Sequence, residues 1–379
     1  MDRTPPPTID RETIEPVVQR ACGRPVEVTS WSVAPIGEGS LGLSAGMFRV
    51  TGEASDGMAW SVVLKMLRPI PAAFLGRFPE ADRARLTVAY GWDREARLYE
   101  SGLLDRLPKG IAAARCFGIR RTDDGCWLWF EDLGANSGPW DAGRYALAAR
   151  HLGRFNGAFA DPARRPDDAW LCRDWIRTWV LAGIGSSGGA VIENEEIWRH
   201  ELIREAFPAD AAARLRRAWD RRQELLDRLD ALPQTFCHMD AFRPNLFDRI
   251  SAGTRQTVAI DWSYAGIGTL GTEVGHLVIG STLPLAGRAP DVRALAAAAL
   301  PAYIAGLRDA AWKGAEEDVR SAFALSAVRW IFMLRQLNAV LEPAQQERLA
   351  AFAGQPYPDL LARVGDRTRF LLDLLEVAV

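Results

Sequence analysis

The chain has 379 residues, of which 48% are hydrophobic and 25% charged, and its formal net charge is −2. That length exceeds one ordinary core and predicts two domains, and the composition excludes a disordered or fibrous chain. Charge so close to balance leaves no field to gather nucleic acid or an anionic membrane, and neither is expected as a partner. The opening Met1-Asp2-Arg3-Thr4-Pro5-Pro6-Pro7 lacks the apolar run of a signal peptide. The alanine-rich stretch near 294–307 is interrupted by Pro301 and is too short to span a bilayer. Cysteines 22, 116, 126, 172 and 237 form no C-x-x-C pair and have no histidine at metal spacing, so they read as reduced thiols of a cytoplasmic protein. Cys116 and Cys126 fall where they could face each other across a hairpin, though no disulfide is expected.

Residues 9–21 predict a helix, with Asp10 as its cap and Gly23 just past its end. Strands are expected at 29–36, 47–50 and 60–67. Between the first two lies Gly37-Glu38-Gly39-Ser40-Leu41-Gly42, a literal G-x-G-x-x-G. A dinucleotide fingerprint would set this turn between a strand and a helix. Strand signals on both sides instead fit a glycine hairpin folded over phosphates, or an ordinary glycine hairpin. Lys65 sits inside Ser61-Val62-Val63-Leu64-Lys65-Met66, a β-prone run where a charge needs a partner. Glu95, in the helical stretch Trp92 to Tyr99, is the candidate; the alternative is a surface glutamate on an amphipathic helix. Only Lys65, Lys109 and Lys313 are lysines, leaving 43 arginines among the 46 basic residues. A chain that uses arginine almost everywhere keeps a compact ammonium for a task such as contacting phosphate.

Residues 69–90 form an added loop or helix. Residues 112–120 and 126–131 read as a hairpin turning through Thr122-Asp123-Asp124-Gly125. The second strand leaves through Glu131, Asp132 and Leu133, where free backbone groups could read the edge of a nucleotide base. Helical patterns then dominate, at 141–160, 168–182, 191–206, 208–231, 273–282, 291–310, 315–341 and 366–378. The expected organisation is α+β, with a β-rich N-terminal lobe over 1–134 and a mainly helical C-terminal lobe over 135–379.

The chemistry concentrates in His238-Met239-Asp240-Ala241-Phe242-Arg243-Pro244-Asn245, an H-x-D-x-x-x-x-N run, and in Ile260-Asp261-Trp262. Turn-forming Asp and Asn produce such a run by chance. Phosphoryl transfer needs a carboxylate beside the attacking hydroxyl, and an amide oxygen and a second carboxylate facing the metal. Oxygen ligands of that kind suit Mg²⁺. Strands 235–237 and 257–260 are expected to pair with each other and present Asp240 and Asp261 on adjacent loops.

Taken together, the glycine loop, Val-Leu-Lys65, Arg94-Glu95-Ala96, Phe130-Glu131-Asp132-Leu133, His238-x-Asp240 with Asn245, and Ile260-Asp261-Trp262 resemble the aminoglycoside phosphotransferase and choline kinase-like family. This is the small-molecule branch of the protein-kinase-like fold. The resemblance covers roughly residues 30 to 340, and Ala149 to Gly157 is similar to the first large-lobe helix of that family. It implies that Asp240 is the general base and that Asn245 and Asp261 ligate Mg²⁺. It further implies that Lys65, locked by Glu95, contacts the phosphates of ATP or GTP. Gly37, Gly39, Ser40 and Gly42 would cover those phosphates, the backbone of Glu131 to Leu133 would bind the base, and His238 would brace the loop. Two features depart from the pattern: Glu273 stands where an aspartate is common, and Arg243 is a cation without an assigned role, a salt bridge being its expected use.

A protein kinase is the poorer fit. Met239 replaces its arginine, Trp262-Ser263 replaces Phe-Gly, and eleven residues between Asp261 and Glu273 leave little room for a peptide platform. A nucleotide-binding pseudokinase or scaffold would not need the base. Trp170, Trp175, Trp179 and Trp198 lie in an insert over 161–235 and read as core more readily than as an acceptor platform. Region 290–379 mixes arginine and acids almost evenly, which argues against a polycationic acceptor and leaves neutral alcohols open. The expected acceptor is a small-molecule alcohol of antibiotic, sugar, nucleoside or amino-alcohol type, handled by a monomer or homodimer, with resistance and metabolism both open.

Overall fold

The structure, a computed structural model, describes residues 5–36, 44–135, 138–251, 253–283 and 290–377. The chain divides into two compact units. The first comprises Met1–Leu107, Ala112–Asn136 and Val258–Tyr264, and the second Pro108–Ile111, Ser137–Thr257 and Ala265–Val379.

In chain order the first strands are β1 (Val28–Pro35), β2 (Ser44–Ala54), β3 (Ala59–Leu67), β4 (Ile111–Ala113), β5 (Cys116–Thr122) and β6 (Gly125–Glu131). Five of them form an antiparallel sheet in the order β1-β2-β3-β6-β5. Side chains alternate across a strand, so Trp60, Val62 and Leu64 of β3 share one face. There they join Phe48, Val50, Phe117 and Trp129 in one cluster with Ile14, Val17 and Val18 of the helix Arg11–Cys22. Burying each such aliphatic side chain stabilises the unit by about 2 kcal/mol. Asp10 caps that helix by accepting from the Thr13 N–H at 2.8 Å, and Gly23 ends it at φ 67°. Alternation also sends Lys65 to the face opposite Leu64.

The β5–β6 register corrects the cysteine expectation. Cys116 stands opposite Phe130 and Cys126 opposite Arg121, so the two thiols occupy different rungs; both are free. Residues 69–90 contain a helix, Glu80–Tyr90, and a second helix follows at Arg94–Glu100.

In the second unit, the helix Ala142–Ala158 packs against Val292–Asp309 at backbone contact. A Cβ on Gly153 would lie 2.1 Å from the Tyr303 carbonyl oxygen, and one on Gly306 2.1 Å from that of Arg150, so only glycine permits this approach. The expected pairing of 235–237 with 257–260 is not what forms. β7 (Gln234–Cys237) pairs antiparallel with β10 (Gly266–Thr269), while β8 (Leu246–Ser251) neighbours β9 (Thr254–Ala259). The local hairpin wins for β8 and β9, turning through Gly253 at φ 72°. β10 is shaped for its own neighbours: a Cβ on Gly266 would meet the Cys172 carbonyl at 2.0 Å, and one on Gly268 the Met239 methyl at 2.2 Å.

That same contact explains why the helix expected over 168–182 shortens to Trp175–Leu181. Cys172 runs extended beside β10, and its carbonyl accepts from Ile267 N at 2.7 Å. The patterns at 191–206 and 208–231 are each interrupted, at Asn194 and His200 and at Arg221. The last helix begins at Tyr357 instead of 366. Among the described residues no helix is long and apolar enough to cross a membrane.

Candidate active site

In the first unit, Lys65, Glu95 and Asp261 meet. The Lys65 ammonium donates to Glu95 Oε2 at 2.5 Å and to Asp261 Oδ1 at 2.8 Å. Lys65 and Glu95 are buried, whereas the Asp261 side chain is 39% exposed. Burial works against the Lys65 charge, but the attraction of Asp261 and Glu95 outweighs it and holds the ammonium above its ordinary value. Glu95 also accepts from the Trp262 N–H at 3.1 Å through its other oxygen. One buried carboxylate thus ties the strand lysine to the turn that carries Asp261. Asp261 stands at φ 60°, a left-handed conformation that costs a residue with a Cβ about 1–2 kcal/mol. The Glu95 bond, the Trp262 Nε1 bond to Ala259 O at 3.1 Å and the Ser263 Oγ bond to Asp261 Oδ1 at 2.8 Å offset it.

Arg94 was legible only as a neighbour of Glu95, and it proves structural. Fully buried, it donates to the carbonyls of Val88, Ala89 and Ser263. It therefore closes the end of the helix Glu80–Tyr90 and fixes the residue two beyond Asp261. Gly91 has to be glycine, since a Cβ there would lie 2.4 Å from the Arg94 guanidinium.

Glu131 is the last residue of β6, and Leu133 lies two residues beyond it. The Glu131 carboxylate receives Arg115 N at 2.8 Å and Arg115 Nε at 3.0 Å, and its own N–H donates to the Arg115 carbonyl at 2.9 Å. Asp132 fixes this strand exit: it accepts from Arg49, Ser61 and the Gly134 N–H. Gly37, Gly39, Ser40 and Gly42 lie outside the described residues.

In the second unit, β7 delivers the H-x-D run. His238 is fully buried, and its Nδ1 accepts from the Asp240 N–H at 3.2 Å. Asn156 anchors the strand, donating to Phe236 O at 2.9 Å and accepting from the Tyr303 hydroxyl at 2.6 Å. Met239 sits at φ 69°, and both its backbone groups are clamped. Its N–H donates to Glu273 Oε1 at 2.7 Å, and its carbonyl accepts from Arg329 at 2.8 Å.

The Asp240 carboxylate is then held at both oxygens. Arg329 donates to Oδ1 at 3.1 Å, and the Asn245 amide donates to Oδ2 at 3.1 Å and to the Asp240 carbonyl at 3.0 Å. Because the amide is planar, this turns Asn245 Oδ1 away from Asp240. Arg243 reaches the Leu246 and Gly138 carbonyls and lies 4.6 Å over the Trp140 ring, which fastens the loop. Trp175 and Trp179 are buried in the core of this unit.

Glu273 belongs to the short helix Thr272–Gly275, which continues as a wider turn through His276–Gly280. The carboxyl is fully buried, and burial pushes it up to about 7. A folded-state value above the ordinary 4.5 means the folded chain keeps this proton while the unfolded chain loses it. Its contribution to stability therefore falls as pH rises from 4.5 through 7. Glu273→Gln keeps an oxygen for Met239 and cannot ionise. Its stability relative to wild type should rise by roughly 2 kcal/mol between pH 5 and pH 8 in urea unfolding. His276, which burial holds well below its ordinary value, is common to both proteins and cancels. A pH-independent difference would contradict the assignment.

Among the described residues no group of three or more His, Cys, Asp or Glu gathers at metal-binding distance. Asn245 Oδ1 in the second unit and the part-exposed Asp261 carboxylate in the first are each hard oxygen donors of the kind that Mg²⁺ accepts.

Set against known families, residues 106–312 match the model of the phosphotransferase enzyme family, more than half of the chain. The chain belongs to that family of phosphotransferases. None of the curated proteins compared matches it. Among solved structures, it is similar to an amicoumacin kinase in complex with AMP-PNP, Ca²⁺ and Ami (12% identity, 86% of this chain and 88% of that one, TM-score 0.47). It is also similar to a microcompartment-associated aminopropanol kinase (15% identity, 93% and 98%, TM-score 0.48). A third is an aminoglycoside-3'-phosphotransferase of type VIII (17% identity, 80% and 94%, TM-score 0.44). Likenesses this distant say nothing of what this chain acts on.

Proposed function

We propose that this chain moves the γ-phosphoryl group of ATP or GTP to a hydroxyl of a small molecule. The observation that carries this reading is Lys65, one of three lysines, buried and held between Glu95 and a strained Asp261. An ammonium has three hydrogens. Glu95 and Asp261 take two, and the third serves a phosphate oxygen. Backbone from Glu131 to Leu133 receives the nucleotide base, and the loop of Gly37, Gly39, Ser40 and Gly42 covers the phosphates. Asn245 and Asp261 would hold Mg²⁺, which supplies charge neutralisation to the transferring phosphoryl group when bound.

Asp240 takes the proton of the acceptor hydroxyl as the acceptor oxygen bonds to the γ-phosphorus. The bond from that phosphorus to the bridging oxygen breaks, and the electron pair leaves with the nucleoside diphosphate. Arg329 and Asn245 fix the direction in which the Asp240 carboxylate faces. The acceptor is an alcohol of antibiotic, sugar, nucleoside or amino-alcohol type.

The test is transfer from γ-labelled ATP or GTP, with Mg²⁺, to a panel of kanamycin, streptomycin, a macrolide, choline, ethanolamine, aminopropanol, adenosine and glucose. At least one labelled acceptor is expected. Stabilisation by Mg·nucleotide without transfer to any member would favour a nucleotide-binding scaffold.

A further inference from the structure

We propose that Arg329 is the positioning residue of this site: it aims the Asp240 carboxylate and holds the backbone that carries it. The proposal rests on Asp240 being the base. Three contacts converge on one guanidinium, all within the second unit. One nitrogen donates to the Met239 carbonyl at 2.8 Å and meets His276 Nε2 at 2.6 Å; the other donates to Asp240 Oδ1 at 3.1 Å. An arginine only donates, so His276 must be neutral and must present Nε2 as an acceptor. The planar fork therefore grips the loop at two points, backbone and carboxylate, with its orientation set by a third.

The surroundings fit a fixed cation. Arg329 is 4% exposed, and its guanidinium carbon lies 4.9 Å from the Trp330 ring, 5.7 Å from Trp179 and 5.8 Å from Trp175. Aromatic faces stabilise a cation that has been taken from water. Trp175 and Trp179 of the insert, together with Trp330, thus line an internal cation that sits on Asp240. Met239 makes this support necessary. Its left-handed backbone is unfavourable, and Glu273 at its N–H and Arg329 at its carbonyl are what secure it. Lysine could not reproduce the arrangement, because a point charge lacks the fork that reaches both groups.

A misaimed base slows proton transfer without weakening ground-state binding, and small displacements of reacting groups cost on the order of 10²-fold in rate. With Mg·ATP and the best acceptor of the panel, or water where none turns over, Arg329→Met should lower kcat about 10²-fold. The KM values should stay within about threefold. Arg329→Lys, which keeps the charge, should recover part of that loss. In an Asp240→Asn background the Arg329→Met change should cost almost nothing further, since it acts through the lost carboxylate.

Full activity in Arg329→Met, or equal costs with and without Asp240, would overturn the proposal. Failure of both the Met and the Lys variants to fold would make Arg329 a structural residue and overturn it as well. An active Asp240→Asn would instead remove the reading of Asp240 as the base.

Discussion

Asp240→Asn should lose at least about 10²-fold in kcat while it keeps its fold and its affinity for nucleotide. The substitution is isosteric, and its amide oxygen still accepts from Arg329. What disappears is the ability to take a proton, together with one favourable contact, because Asn245 now faces a second amide N–H group where it faced a carboxylate oxygen. The loss should sit in kcat and leave the KM for nucleotide near its starting value, since the residues proposed to hold the phosphates lie on other elements. Steady-state kinetics with a confirmed acceptor decides this. A variant within about threefold of wild type would remove Asp240 as the base.

Glu95→Ala should destabilise the first unit by about 3 kcal/mol, the scale set by leaving a buried charge without its partner. Lys65 is 10% exposed at its side chain and Glu95 2%, so water offers little compensation. Asp261 would keep one contact with Lys65, but the Trp262 N–H would lose its acceptor and the left-handed turn at Asp261 its support. A Lys65→Met, Glu95→Gln double variant should recover at least half of that stability, because it buries no unpaired charge. It should still gain no melting temperature from Mg·ATP. Urea unfolding with and without nucleotide separates the two effects. A single variant costing under about 0.5 kcal/mol, or a double variant still stabilised by Mg·ATP, would contradict this account of Lys65.

Much of this was legible in the sequence, for identifiable reasons. The first sheet was, because β1, β3 and β6 carry local period-2 patterns and turn residues. The Lys65–Glu95 pair was readable because a charge inside an apolar strand has few ways to survive. The loop that brings Asp240 and Asn245 together was readable because its run is written in consecutive residues. Strand pairing was not. Nothing local told β7 that its partner would be β10, a choice decided by which neighbours Gly266 and Gly268 admit.

Arg329 gave no signal of its own. It lies 89 positions from Asp240 in an apolar stretch, Ala327-Val328-Arg329-Trp330-Ile331, and 43 arginines made one more unremarkable. The usable clue would have been Met239. A loop residue unable to supply a cation leaves that task to an arginine buried elsewhere. The Arg243 bonds to the Leu246 and Gly138 carbonyls and its stacking on Trp140 gave no signal either, since they depend on where Gly138 folds.

The most direct test of the central claim is phosphorus NMR of a complete reaction, with nucleoside triphosphate, Mg²⁺ and the labelled member of the panel. The account predicts one new phosphate-monoester resonance, coupled to the protons of a carbinol carbon, formed in equal amount with nucleoside diphosphate. Nucleoside diphosphate accompanied only by inorganic phosphate, or phosphorus bound to nitrogen or to protein, would contradict it.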